Sequence, residues 1–118
     1  MAANEANFLG DWHNTNPNTS GIVEVQVSTT GGLYYIHAWS ACVPICDWGT
    51  VPLYFYSPAP YGDTTLYYAN AVYSLGYGTA YLTLQFTAPN TLQVLSLTHY
   101  SDSSGRQDSY VTDAFYLS

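Results

Sequence analysis

Val23-Glu24-Val25-Gln26-Val27-Ser28-Thr29-Thr30-Gly31-Gly32-Leu33-Tyr34-Tyr35-Ile36-His37-Ala38-Trp39 is the stretch that decides the fold. Its first half alternates Val with Glu and Gln. Val23, Val25 and Val27 therefore point to one side of an extended strand, and Glu24 and Gln26 point to the other. One face is apolar and the other is wet, which is the pattern of a half-buried β-strand. Thr29-Thr30-Gly31-Gly32 supplies the residues of a tight hairpin turn, and residues 33–39 return as β-branched and aromatic strand.

The same short period continues on either side of this hairpin, and no 3.6-residue repeat is sustained anywhere. A first strand is expected over residues 8–14, followed by a turn-rich loop, Asn16-Pro17-Asn18-Thr19-Ser20-Gly21. Residues 40–49 read as one long irregular segment. Strand four, residues 51–56, stops at Ser57-Pro58-Ala59-Pro60, where two prolines cannot donate to a ladder. Strand five covers residues 64–73. Strand six, residues 80–87, sets Leu82, Leu84 and Phe86 against Tyr81, Thr83 and Gln85. After Ala88-Pro89-Asn90, strand seven (residues 91–100) is apolar on both faces, at Leu92 and Val94 but also at Leu95 and Leu97. Strand eight covers residues 107–117. Short connections favour antiparallel pairing of sequential strands. The expectation is therefore a single all-β domain over residues 1–118, an eight-stranded antiparallel up-and-down β-barrel, with a β-sandwich as the alternative.

Composition limits what such a domain can recognise. The chain of 118 residues carries 13 Tyr and 3 Trp, a single strong cation at Arg106, and a formal net charge of -7. Phosphate binding draws on Lys and Arg, so nucleic acid is excluded as a partner, and an anionic membrane surface finds nothing to attract. No run approaches the ~20 apolar residues of a membrane-spanning helix, and no membrane insertion is expected. The first twenty residues have neither a basic start nor an apolar run, so they do not read as a secretory signal, and the compartment stays open between cytoplasmic and extracellular.

Leu9-Gly10-Asp11-Trp12-His13-Asn14 near the start and Asp113-Ala114-Phe115 near the end carry a resemblance. The first holds the G-x-W-x-N that opens the first strand of avidin-like and, more loosely, lipocalin-like (calycin-type) barrels. The second resembles the D-x-F of the last strand of avidin-like proteins. The resemblance implies that Asn14 hydrogen-bonds a ligand head group, that Asp113 accepts from a ligand ring nitrogen, and that Tyr34 or Tyr35 stands where the family has a Tyr. Avidin-like sites also wall the ligand with several Trp from the second half of the chain. No Trp follows Trp48 here, which argues against biotin itself.

Trp39-Ser40-Ala41-Cys42-Val43-Pro44-Ile45-Cys46-Asp47-Trp48-Gly49 is the densest group of special residues. Trp39 and Trp48 either stack on a ligand at a barrel mouth or plug one end. Cys42 and Cys46 either staple that segment as a disulfide or stay reduced, since so short a ring gains little loop entropy. C-x3-C with His37, His99 and Asp47 lies near zinc-ligand spacing but lacks a second pair, so no metal and no cofactor are expected. No G-x-S-x-G elbow or paired-carboxylate motif points to an enzyme. Arg106 is expected either to bridge Asp102, Asp108 or Asp113 or to grip an acidic group of a ligand, with the bridge preferred. By alternation Asp113 shares the inner face with Val111, Phe115 and Leu117 and needs a partner there.

Three functions stay open at this stage. The first is a non-catalytic binding protein, lectin-like, taking a neutral carbohydrate through Trp12, Asn14, Tyr35, Trp39, Asp47, Trp48 and Asp113, because sugars pack their C–H faces on rings and give hydroxyl protons to Asp and Asn. The second, implied by the resemblance, is a carrier of a small hydrophobic or cyclic-amide ligand. The third is a structural protein forming a homo-oligomer through exposed Tyr faces.

Overall fold

The computed structural model describes residues 4–42, 45–61, 68–87 and 90–118. Val43 and Pro44, the start expected for strand five at Thr64, and Ala88-Pro89 lie outside the described residues. A short 3-10 helix (Glu5–Phe8) leads into β1 (Gly10–Asn14), β2 (Ile22–Thr30), β3 (Leu33–Ser40), β4 (Cys46–Pro52), β5 (Tyr54–Tyr56), β6 (Tyr68–Leu75), β7 (Gly78–Thr87), β8 (Thr91–Tyr100) and β9 (Ser109–Leu117). All ladders are antiparallel, in the order β4-β3-β2-β1-β9-β8-β7-β6-β5, and the sheet curls into a nearly closed barrel.

Among the described residues nine strands stand where the sequence predicts eight, and the difference lies at Leu53. Part of the segment expected to be irregular is ordered as strand from Cys46, and it pairs with β3 as far as Pro52↔Tyr35. Leu53 then donates its N–H to Tyr34 O at 2.9 Å and buries its side chain. From the next residue the chain pairs with β6, starting at Tyr54↔Asn70. One residue thus carries the chain from one edge of the sheet to the other. Pro52 cannot donate to a ladder, which lets the pairing change partner at this point.

The β2–β3 hairpin forms as the alternation predicts, with Thr30 opposite Leu33 and with Gly31 and Gly32 at φ 60 and 82. Both turn residues lie in the left-handed region that a tight primed turn requires. Val25, Val27, Ile36 and Ala38 face inward. A register shift between Ile22 and Glu24 adds a residue and turns Ile22 inward, so Val23, expected on the inner face with Val25 and Val27, is only half-buried. On β7, Ala80, Leu82, Leu84 and Phe86 are buried, in the predicted alternation.

The two ends of the barrel differ. At one end the 3-10 helix closes the interior. Asn4 caps it by accepting from Ala6 N–H at 2.9 Å, while Asn7 accepts from Asn4 N–H at 2.8 Å. This presents Phe8 to the core, where its ring lies 5.1 Å from Phe55 and 5.8 Å from Phe86. Trp12 packs edge-on to Phe86 and donates its indole N–H to Phe8 O at 2.9 Å. Each such fully buried large side chain contributes on the order of 1.5–3 kcal/mol by leaving water. The opposite end, formed by the start of β2, β4, β7 and β9 and the end of β3, β6 and β8, stays open.

Candidate binding site at the open mouth

The open end holds a cavity of about 440 Å³, lined by Trp48, Tyr77 and Tyr100 and by hydroxyls from Ser40, Ser96, Thr98 and Ser109. Strand alternation puts Ser40 on the inner face of β3 and Ser96 on the inner face of β8, where the apolar core gives way to polar residues. Trp48 donates its indole N–H to Ser40 Oγ at 3.0 Å, and its ring meets Tyr73 edge-on at 5.3 Å. Tyr73 is buried, and its hydroxyl lies 3.0 Å from Ile36 O and 2.9 Å from Gly49 O. It thereby ties β6 to β3 and β4 where β4 and β6 run side by side without a ladder. Burial holds the Tyr73 phenol well above its ordinary value, so it stays a neutral donor.

Cys42 and Cys46 form a disulfide at the rim, so the stapled alternative holds. The staple fixes the entry into β4 and with it Asp47 and Trp48. On the facing rim, Tyr77 and Tyr100 stack at 5.8 Å, and the Arg106 guanidinium lies 4.2 Å from the Tyr100 centroid and 5.1 Å from that of Tyr77. Arg106 bridges Asp102 at 3.0 Å and donates to Ser104 Oγ at 3.0 Å. Of the three carboxylates expected as its partner, Asp102 is the one it meets. Hydrogen bonds from Ser104, then from Arg106, hold the Asp102 carboxyl below its usual range. Desolvation, reinforced by Tyr100, pushes the Tyr77 phenol up.

Beneath the mouth the interior narrows onto Asp113, in a crevice with no measurable free volume lined by Ile22, Val94, Ser96, Val111 and Phe115. Asp113 faces inward beside Phe115, as alternation predicts, and within the chain its partner is not Arg106. Thr19 donates its hydroxyl to Asp113 Oδ2 at 2.7 Å, and Thr19 Oγ1 accepts from Gly21 N–H at 3.1 Å.

The residues expected to share one site are distributed over the whole barrel. Trp48 lines the mouth, Asp47 stands on its rim, and Asp113 sits below. Trp12 belongs to the closed end and is fully buried. Asn14 fastens the loop after β1, donating to Ile22 O at 2.9 Å and accepting from Asn16 N–H at 2.8 Å. Tyr35 lines a separate crevice of about 430 Å³ near the closed end, with Leu33, Tyr34, Leu53 and Tyr54. Trp39 alternates with buried Ala38 and Ser40 and so lies on the outer wall, stacked on His37 at 4.0 Å, and the two Trp therefore do not form a common plug.

His37 is bonded at both ring nitrogens. Nε2 meets Asp47 Oδ1 at 2.5 Å and Nδ1 meets the Thr50 hydroxyl at 3.1 Å. With the proton assigned to Nε2, every partner is satisfied. Together with the Gly49 N–H, the main cause, His37 holds the Asp47 carboxyl below its usual range. Sequence reasoning missed Tyr77, Tyr100, Ser40 and Ser96. The alternation of strands six and seven bore on Ser96, whereas only the cross-strand register brings Tyr77 and Tyr100 together. Among the described residues no three His, Cys, Asp or Glu side chains gather as a metal would require. In comparisons with protein-family models, curated proteins and solved structures, nothing matches this chain. The barrel is compatible with a calycin-like architecture.

Proposed function

We propose that the chain is a non-catalytic binding protein that takes a neutral carbohydrate at the open mouth. The observation that carries this reading is the make-up of the cavity there, with the rings of Trp48, Tyr77 and Tyr100 interleaved with the hydroxyls of Ser40, Ser96, Thr98 and Ser109. Aromatic faces suit the C–H faces of a pyranose, and the hydroxyls and Asp47 suit its O–H groups. A volume of about 440 Å³ falls within the usual range for small-ligand sites. Trp48 supplies a ring and Asp47 a rim acceptor, while Asp113 lies below the cavity floor and would accept from a ligand only after that crevice opens. The single cation is already held by Asp102, so an uncharged guest fits better than an acidic one.

A carrier function of the avidin or lipocalin kind draws its support from the barrel and from the inward-facing Asp113. The interior is filled by Val25, Ile36, Leu82, Leu84, Leu92 and Phe115, which favours the mouth over the lumen as the place for a ligand. A glycan array probed with the intact protein and with Trp48→Ala tests the proposal. Binding to one sugar class by the intact protein, lost in the variant, supports it. Silence against every sugar, with a small hydrophobic molecule found by native mass spectrometry, replaces it with the carrier.

A further inference from the structure

The outer wall of β6 to β9 differs from the rest of the surface. Register places Val72, Tyr81, Leu97 and Tyr110 side by side across four strands, and all four project into solvent, with relative exposures of 47%, 44%, 42% and 71%. The next row is Asn70, Thr83, Leu95 and Thr112, and the one after it is Tyr68, Gln85, Gln93 and Ala114. None of these positions is Asp, Glu, Lys or Arg, in a chain whose formal net charge is -7. Asp108 stands at the mouth-side border, bonded to His99 at 2.7 Å, and Asp113 on β9 faces inward. The face is not smooth. A groove of about 330 Å³ runs over Leu97 between Tyr81 and Tyr110, with the bonded pair His99 and Asp108 on its mouth-side wall, and a second of about 230 Å³ lies between Tyr68 and Thr112.

We propose that this face is a self-association surface whose occupant is the same face of a second copy of the chain, related by a two-fold axis. Two molecules of like charge repel, so they approach most easily where neither carries charge. The face also complements itself: Tyr110 is a protruding knob, the groove over Leu97 is a hole, and the amide and hydroxyl rows both donate and accept, as an isologous contact requires. Aromatic residues with few charges are the composition of an interface centre. Four strands at ~4.8 Å spacing and three rows at ~6.6 Å cover roughly 400 Å². A pair therefore buries about 800 Å², the size of a weak, transient contact. The dimer is accordingly concentration-dependent.

Sedimentation velocity across a hundredfold range of concentration tests this. The mass is expected to rise from 13.0 kDa toward twice that value. Raising the salt is expected to tighten the pair by screening the shared negative charge. Leu97→Asp and, separately, Tyr110→Asp should each weaken association at least tenfold with an unchanged circular dichroism spectrum. Tyr110 is the more exposed of the two, so its variant keeps the test valid if Leu97→Asp fails to fold. Leu33→Asp, exposed at the β2–β3 turn away from these rows, should leave association intact. A monomer at every concentration overturns the proposal, and so does a dimer lost in Leu33→Asp but retained in Tyr110→Asp.

Discussion

Thr19 and Asp113, separated by 94 residues, are joined by a 2.7 Å hydrogen bond that fastens the loop after β1 to the inner face of β9. A carboxylate on an inward face needs a donor, and Thr19 supplies it from a buried position. Thr19→Val removes the donor and leaves the carboxylate unmatched, at a cost of about 1–3 kcal/mol. Asp113→Asn keeps an acceptor for the same hydroxyl and should cost less than about 1 kcal/mol. Thermal unfolding of both variants checks the order. If Asp113 also accepts from the ligand, Asp113→Asn loses binding while its melting temperature stays near that of the native protein.

Trp12 separates packing from hydrogen bonding at the closed end. Trp12→Ala opens a cavity beside Phe8 and Phe86 and is expected to cost about 3–5 kcal/mol. Trp12→Phe keeps most of the ring but leaves Phe8 O without its indole donor, at about 1–2 kcal/mol. Urea titrations with a common slope give both values. A Trp12→Ala cost below that of Trp12→Phe contradicts the role assigned to the ring.

How far the sequence revealed the molecule follows from which interactions are local. Alternation in residues 23–27 and 80–87 and the Gly31-Gly32 turn depend on near neighbours, and there the expected strands form, except that the bulge buries Ile22 and leaves Val23 half-buried. The partner switch at Leu53 depends on two edges, β3 and β6, that are distant in sequence, so no local pattern marks it. The candidate site was legible in the same proportion. Asp113 faces inward between Val111 and Phe115 as the period of two predicts, although Leu117, expected on the same face, is exposed at the strand end, and Trp48 reaches the mouth. Trp39 was grouped with Trp48 because both flank the Cys pair, yet the period of two in β3 sends Trp39 outward beside His37. Trp12 and Asn14 hold their motif positions near the start of the chain, but their partners, Phe8 O and Ile22 O, give both a structural role.

Trp48 and Trp39 therefore make a matched pair for testing the mouth. Trp48→Ala removes a cavity-lining ring and should weaken sugar binding about tenfold or more, the size of an interface anchor worth over 1 kcal/mol. Trp39→Ala, on the outer wall, should leave affinity unchanged. Titration calorimetry with the sugar class selected on the array reads both. Equal losses would place the ligand elsewhere.

The rim disulfide should matter more for binding than for stability. A 15-residue loop gives ~3 kcal/mol in the chain-entropy picture, and the ring closed by Cys42 and Cys46, four positions apart, is far smaller. The double variant Cys42→Ser, Cys46→Ser is expected to unfold within about 2 kcal/mol of the native protein. Its affinity should fall several-fold, because Asp47 and Trp48 follow Cys46 directly. Unchanged affinity would show that the rim keeps its shape without the staple.

Acid should loosen the surface clasps before the core. Asp47, Asp102 and Asp108 all have their carboxyls held below the ordinary value of 3.8, through Gly49 N–H and His37, through Ser104 and Arg106, and through His99 and Tyr100 N–H. A depressed folded-state value means that the folded chain holds these protons less tightly than the unfolded one. The stabilisation is therefore complete above the ordinary carboxylate value and is lost as the pH falls through the lowered values. Melting temperature should hold down to about pH 5 as far as these groups are concerned, then decline toward pH 2. The decline should be shallower in Asp108→Asn, which removes one of the three contributions. All three groups are exposed, so added salt should flatten the profile further. A melting temperature that rises on acidification below pH 4 would reverse the sign and exclude these pairs as its source.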